Sequence, residues 1–484
     1  MSHGIIAAGH EKTAQAAALI LKEGGNAFDA AIAAFLASFI SEPCMSSAGG
    51  GAFANILTAD GKSVFLDFFC QTPKIKRPAS EMEFEPMVVN FGETTETFYI
   101  GMGAVAVPGV IAGIYHIHKH FATIPMHILV EPALDYARNG VIINDFQFFD
   151  ICVLHDIMTK EVEAKNIFYP EGKPLAVGKN LQMPILADYL EFLVKEGERE
   201  FYEGEFAKQL VKDSSTRGGG LTMDDMLHYK VNSNKPLSFP YRNKKILTNP
   251  LPSIGGTLIG LMMRKLEKRY HNNYLPFSNE HVQTLQNIID EVYRIEKSVP
   301  NLNKKWGSTS HFNIVDNKGN AINITMSNGE GCGYMVPGTN VMMNNMLGEA
   351  SLLPNGYHSW VPDTRLSSMM SPTLVVNSEG KFEIATGTGG GSRIPSVIVQ
   401  VLHYMIDFGM DVRTAVHSAR LHNEHSELNL EPAFVQKHLA VNQLKVINWE
   451  SPAMFFGGVH TIHKKGNDLF ASGDDRRDGF SMIV

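Results

Sequence analysis

The stretch Ser308-Thr309-Ser310-His311-Phe312-Asn313-Ile314-Val315-Asp316 constrains the fold more than any other part of the chain. Three neighbouring hydroxyls run straight into a strand pattern. Phe312 and Ile314 recur at every second position, Asp316-Asn317-Lys318-Gly319-Asn320 forms a turn, and Ala321 and Ile322 open the next apolar run. This predicts a β-hairpin that begins at the hydroxyl cluster. Two readings of the cluster stand side by side. Ser and Thr are good turn and cap residues. A Thr that opens a central strand is also a place for a nucleophile, if the chain is cut just before it. The freed α-amine, with a pKa of about 8, would then lie close enough to take the hydroxyl proton.

A chain of 484 residues can bury a large core, in two or three domains or in one layered body. The net charge of -8 is spread over mixed acidic and basic residues, which points to neither nucleic acid nor an anionic membrane surface as partner. Cys44, Cys70, Cys152 and Cys332 are far apart and form no C-x-x-C pair, so no zinc cage, other metal site or disulfide framework is expected. No cofactor is expected either. Met1-Ser2-His3-Gly4 lacks the basic region of a signal peptide. The longest apolar run, Ala27 to Ile40, is too short to span a bilayer and contains Asp29. The expectation is a soluble, cytoplasmic protein.

Along the chain, residues 4–8 read as a strand, Thr13 to Glu23 as an Ala-rich helix stopped by Gly24-Gly25, and Asn26 to Ile40 as a buried helix. Two strands follow around Asp60-Gly61, residues 70–100 read as irregular, and Val105 to Val110 reads as a strand. A largely helical stretch is expected up to about residue 300, with exposed Lys-rich loops at 243–245 and 304–305. Strands dominate from 309, with helices at 395–408 and 411–420. Strands at both ends with helices between them suggest one sheet system covered by helices.

Read together, the motifs resemble those of the γ-glutamyltransferase (glutathione hydrolase) family almost end to end. Glu23-Gly24-Gly25-Asn26-Ala27-Phe28-Asp29-Ala30-Ala31 resembles the amino-terminal signature. Glu42-Pro43 with Gly49-Gly50-Gly51, and Val107-Pro108-Gly109 with Gly113, resemble its loop motifs. Thr309-Ser310-His311-Phe312 resembles the nucleophile motif. Arg365 to Thr373, Gly390-Gly391-Ser392-Arg393-Ile394, Gly457-Gly458-Val459-His460 and Asp475-Arg476-Arg477-Asp478-Gly479 follow in the family's order.

The resemblance implies a mixed α/β (α+β) fold, a four-layer αββα sandwich of the N-terminal-nucleophile (Ntn) type. It implies self-cleavage between Ser308 and Thr309 into a large region, 1–308, and a small one, 309–484, which stay together as one composite domain; further homo-oligomers are left open. Thr309 would attack a small γ-glutamyl or related acyl amide, and water or an amine acceptor would resolve the acyl-enzyme. Gly390 and Gly391 would present backbone N–H groups to the oxyanion, because glycine lets backbone approach without a Cβ. Ser327 would support the nucleophile. Ser367, Ser368, Asn328 and Glu349 would bind substrate. His311 reads as structural.

The chain also departs from the family pattern. Phe69 stands where an arginine would grip the glutamate α-carboxylate. Met346 replaces a glutamine, and Glu349 stands in for a shorter acid. Asn328 follows Ser327 without a spacer, and the short stretch from Glu349 to Leu366 leaves no room for a long lid. Lys74 and Lys76 are the nearby cations, with nothing to place them in the pocket. These departures touch recognition and leave the bond-breaking groups in place. The expectation is therefore a self-processing amidase with a weakened preference for γ-glutamyl compounds. An acylase for another acyl group, such as an aliphatic diacid, is one alternative; an unprocessed non-catalytic homologue is another.

Overall fold

The computed structural model describes residues 2–90, 95–270, 274–296, 308–353, 355–424, 427–434 and 444–484. The Lys-rich loop at 304–305 lies outside them.

Two antiparallel sheets are stacked face to face. The strands of the first are β1 (Gly4–Ala8), β2 (Gly51–Leu57), β3 (Ser63–Phe68), β4 (Asn232–Asn234), β7 (Thr309–Asp316), β8 (Ala321–Ser327) and β13 (Phe480–Ile483). Their order across the sheet is β13-β1-β7-β8-β2-β3-β4. The second sheet takes β5 (Leu237–Tyr241), β6 (Lys244–Thr248), β9 (Thr373–Val376), β10 (Phe382–Gly387), β11 (His460–Lys465) and β12 (Asp468–Ser472), in the order β12-β11-β10-β9-β6-β5. Between the sheets lie Ile5, Val315, Leu374, Ala385 and Ile462. Buried amides tie the sheets together: Asn55 Nδ2 donates to Leu247 O (2.9 Å), Asn323 Nδ2 to Thr373 O (2.9 Å) and Asn313 Nδ2 to His460 O (2.9 Å).

Helices cover both outer faces. On the first sheet pack α1 (Glu11–Lys22), α2 (Ala27–Ser41) and α3 (Val110–Phe121), against Ile6, Phe312, Ile324 and Ala54. On the second pack α4 (Gly255–Arg269), α5 (Asn279–Glu296) and α6 (Ile394–Ile406), against Phe239, Ile246, Val375 and Ile384. The order is α, β, β, α, the four layers expected.

Helix α2 is buried along its whole length, which its Ala-rich sequence permits because small side chains let neighbours approach closely. Its start is strongly specified. Asn26 Oδ1 accepts from the backbone N of Phe28 (2.8 Å) and Asp29 (2.9 Å), while Asp29 Oδ2 accepts from Asn26 N (2.9 Å). This is a capping box. Asp29 also accepts from Thr123 N and Thr123 Oγ1 (both 2.7 Å) and Ile124 N (2.9 Å), so the fully buried carboxylate joins α2 to the end of α3. The amino-terminal signature thus holds the helical layer in place.

The structure corrects three expectations. Residues 232–248 form strands β4 to β6 instead of continuing the helical stretch. Edge position explains the polar Asn232-Ser233-Asn234 and the tolerance of Pro240 in β5. Lys244 and Lys245 belong to β6, with Lys244 paired to Glu383. Residues 70–100, read as irregular, contain the hairpin Glu85–Asn90/Thr95–Ile100. Val105 to Val110 is no strand: only Val107 bridges, to Gln71, before α3 begins.

Candidate active site

Thr309 is the first residue of β7 and pairs with Ser327, the last of β8. Alternation along β7 sends successive side chains to opposite faces. Ser310 points under the helical layer, where its hydroxyl donates to the Glu42 carboxyl at the end of α2. Thr309, 5% exposed, lines a cleft on the other face. Ser327 Oγ donates to the Ser308 carbonyl (2.7 Å) and accepts from Gly329 N (3.0 Å). The bond between Ser308 and Thr309 therefore has its carbonyl oxygen on a hydroxyl that a backbone N–H polarises in turn.

Backbone from the second sheet closes on the same point. A Cβ on Gly389 would stand 2.2 Å from Thr309 O, so only glycine allows this approach. Gly390 (φ +130°) and Gly391 (φ +57°) follow in the left-handed region, and Gly391 lines the cleft. Arg477 Nη1 donates to Thr309 O (3.3 Å). Burial pulls Arg477 down to about 10.

The rest of the cleft is mostly apolar: Phe69, Met346, Leu352, Met369, Met370 and Ile394, with Ser351, Ser368 and Glu349 as polar members. Phe69 stacks on Phe53 with centroids 5.1 Å apart. Ser351 Oγ donates to Glu349 Oε2 (3.2 Å). Ser368 Oγ accepts from Met370 N (3.2 Å), and Ser368 N donates to Ser253 Oγ (3.2 Å).

Two expected substrate contacts stand outside the cleft lining. Ser367 is half-buried beside it. Asn328 is buried and turned the other way, its Nδ2 on Met342 O (3.3 Å) and its backbone N on Met45 O (3.2 Å). The nearby cations are also elsewhere. Lys74 pairs with Asp224 (2.6 Å), and Lys76 lies 5.1 Å over the Trp360 ring. Arg365 sits behind Phe69, donating to the Phe69 carbonyl, the Tyr229 hydroxyl and the Lys230 carbonyl, 4.6 Å over the Tyr229 ring. Among the described residues, no cationic side chain lines the cleft.

His311 lies between the sheets. It hydrogen-bonds Thr325 Oγ1 (2.8 Å) and Asn313 Oδ1 (3.1 Å), and its ring fills the space a Gly387 side chain would need. Burial lowers it to about 3, so it is neutral at ordinary pH and serves packing. Sequence reasoning gave no role to the buried acids around the Thr309 end of β7. Burial pushes Glu42 and Asp150 up to about 7, and raises Glu330. Glu42-Pro43 was visible as a motif, and Glu330 stands out only as an acid inside a Gly-x-Gly turn.

The family model described as Gamma-glutamyltranspeptidase matches residues 13–299 and 289–484. The chain belongs to this family. Among its γ-glutamyltranspeptidase-family relatives, the glutathione hydrolase proenzyme of Escherichia coli (strain K12) is 29% identical over 91% of this chain and 85% of its own length. The acylase ACY 1 proenzyme of Pseudomonas sp. (strain SE83) is 27% identical over 95% and 90%. The crystal structure of the cephalosporin acylase from Bacillus halodurans superposes with a TM-score of 0.83, at 23% identity, over 99% of this chain and 96% of that one, which shows the shared fold. The protein is accordingly a hydrolase of the γ-glutamyltranspeptidase-like or acylase-like kind.

Proposed function

We propose that this protein is a self-processing amidase whose nucleophile is Thr309. The observation that carries the reading is the meeting of Thr309 and Ser327 at the strand ends, with Ser327 Oγ on the Ser308 carbonyl, at the mouth of the cleft. Cleavage there yields regions 1–308 and 309–484. The new α-amine of Thr309 then takes the hydroxyl proton as the oxygen attacks an amide carbonyl in the cleft. The oxyanion is received by backbone N–H groups at Gly390 and Gly391, worth a few kcal/mol. Ser327, freed of Ser308, supports the nucleophile. Water or an amine then takes the acyl group from Thr309.

The cleft favours an amide whose acyl group is largely apolar and carries no carboxylate. A bound carboxylate needs a cation or several donors once it leaves water, and beyond Thr309 and Ser327 the walls here are Phe69, three methionines, Leu352 and Ile394 around one acid and two serines, of which Ser351 already donates to Glu349. The same composition speaks against the diacid acyl group. Glu349 is the feature that favours the second reading, γ-glutamyl hydrolysis or transfer, since it suits an ammonium group.

A panel of p-nitroanilides decides between them: γ-glutamyl, glutaryl, and straight-chain acyl groups of similar length, with Thr309→Ala as control. The uncharged acyl groups should turn over best, and Thr309→Ala should give none. A clear preference for γ-glutamyl overturns the apolar reading. An unprocessed, inactive wild-type chain overturns the nucleophile.

A further inference from the structure

The turn after Ser327 carries an acid that the chemistry above does not use. Glu330 is 1% exposed and sits between Gly329 (φ +62°) and Gly331 (φ +87°). Its backbone N donates to Asn345 Oδ1 (2.8 Å), which anchors the turn. Its Oε1 accepts the backbone N–H of Ser308 at 3.2 Å, while its Oε2 is buried with no hydrogen-bond partner among the described residues. Burying a carboxyl is costly, and an apolar side chain would fill this place without that cost. Three positions earlier, Ser327 Oγ holds the Ser308 carbonyl (2.7 Å). One turn therefore holds Ser308 at both its peptide groups, by the N–H and by the carbonyl.

We propose that Glu330 is a positioning residue for self-cleavage: with Ser327 it fixes the backbone of Ser308, so that the carbonyl carbon stays within ring-closing reach of the adjacent Thr309 hydroxyl. This rests on the reading that the chain cuts itself at Ser308–Thr309. In the cut, Thr309 Oγ bonds to the Ser308 carbonyl carbon and the hydroxyl proton passes to the Thr309 nitrogen. The C–N bond then breaks, leaving an ester and a free amine. Water hydrolyses the ester, which restores the Thr309 hydroxyl and leaves a carboxyl group on Ser308. Glu330 contributes no atom to these steps. It removes rotational freedom from the attacked group, which is where intramolecular reactions gain most. The product adds a second carboxyl next to Glu330. Two carboxyls cannot both ionise cheaply in one buried site, so the residue that holds the segment before the cut favours its departure afterwards.

The test follows the conversion of freshly isolated full-length precursor to two bands on a denaturing gel. Glu330→Gln keeps an acceptor oxygen in the same place, and Glu330→Met keeps the volume without an acceptor. Glu330→Gln should process within about threefold of wild type and Glu330→Met about tenfold or more slowly, the effect of losing one hydrogen bond to the attacked segment. Circular dichroism and melting temperature confirm that each precursor is folded. If Glu330→Met proves unstable, Glu330→Leu replaces it. Equal rates for wild type and the folded apolar variant overturn the role of Glu330, as does a Glu330→Gln rate as slow as that variant's. A wild-type precursor that never cuts overturns the self-cleavage reading together with this one.

Discussion

At Phe69 a single aromatic ring stands in the cleft wall where the family pattern has an arginine. The ring stacks on Phe53 and leaves Arg365 behind it, engaged with backbone carbonyls and the Tyr229 ring. Phe69→Arg should raise turnover of γ-glutamyl-p-nitroanilide by about tenfold or more and lower that of apolar acyl anilides, because a charge-assisted pair replaces an apolar wall; initial rates on the two substrates check it. Ser327→Ala removes a donor aimed at the Ser308 carbonyl and should slow self-cleavage about a hundredfold, read from the time course of the two bands. Glu42 makes a pH prediction. Its folded value, about 7, lies above the ordinary 4.5 because of burial. The folded chain keeps a proton that the unfolded chain loses, so its contribution is present in full below about pH 4.5 and is lost as pH rises to about 7. In the Thr309→Ala background, which keeps the chain whole, Glu42→Gln should gain on its parent by up to about 3 kcal/mol between pH 4.5 and 7. Urea melts at the two pH values measure the difference. A constant difference sinks it.

At the level of elements, the two signatures that bracket the chain act as joints. Asp29 caps α2 and holds residues 123–124 through its remaining lone pairs. Asp29→Ala leaves these buried donors unsatisfied and should cost about 3 kcal/mol or more, measured by denaturant melts of the Thr309→Ala chain. Gly389 is the matching joint on the other side, where the second sheet's backbone meets Thr309 O. The hairpin β7–β8 needs both neighbours. Its inner end is held by Ser327 and Gly51 in register, and its outer end by Asp316, which accepts from Ala27 N (3.1 Å) at the start of α2.

Across the whole molecule, the two halves of the chain are interleaved in the first sheet and joined side by side in the second. In the first, β1 lies between β13 and β7, and β8 lies next to β2, so segments from before and after residue 308 alternate. The second sheet pairs β6 with β9. Cutting one peptide bond leaves these ladders intact. The processed protein should therefore elute as a single species in size exclusion while showing two bands on a denaturing gel. Separation of the halves without denaturant would contradict this topology.

Local chemistry is what the sequence by itself determined. The alternation after Thr309 and the helix stop at Gly24-Gly25 depend on neighbours a few positions away and were readable as strand and cap, while the capping box at Asn26 and Asp29 and the approach of Gly389 to Thr309 O emerged only in the folded chain. The ordered motifs carried the layered fold with them. The edge strands β4 and β5 were illegible, because an edge strand has one hydrogen-bonded side and no strong apolar alternation, and β6 inside its sheet was hidden by the Lys244-Lys245 pair that opens it. Only the tertiary structure decided the composition of the cleft. Phe69, Met346, Ser368 and Ile394 come from segments far apart in the chain, and Asn328, next to Ser327 in sequence, turns away from it. It likewise decided that Glu330 reaches back to Ser308, a contact across 22 positions that exists because β7 and β8 run antiparallel and bring the Thr309 end of β7 beside the turn that follows β8.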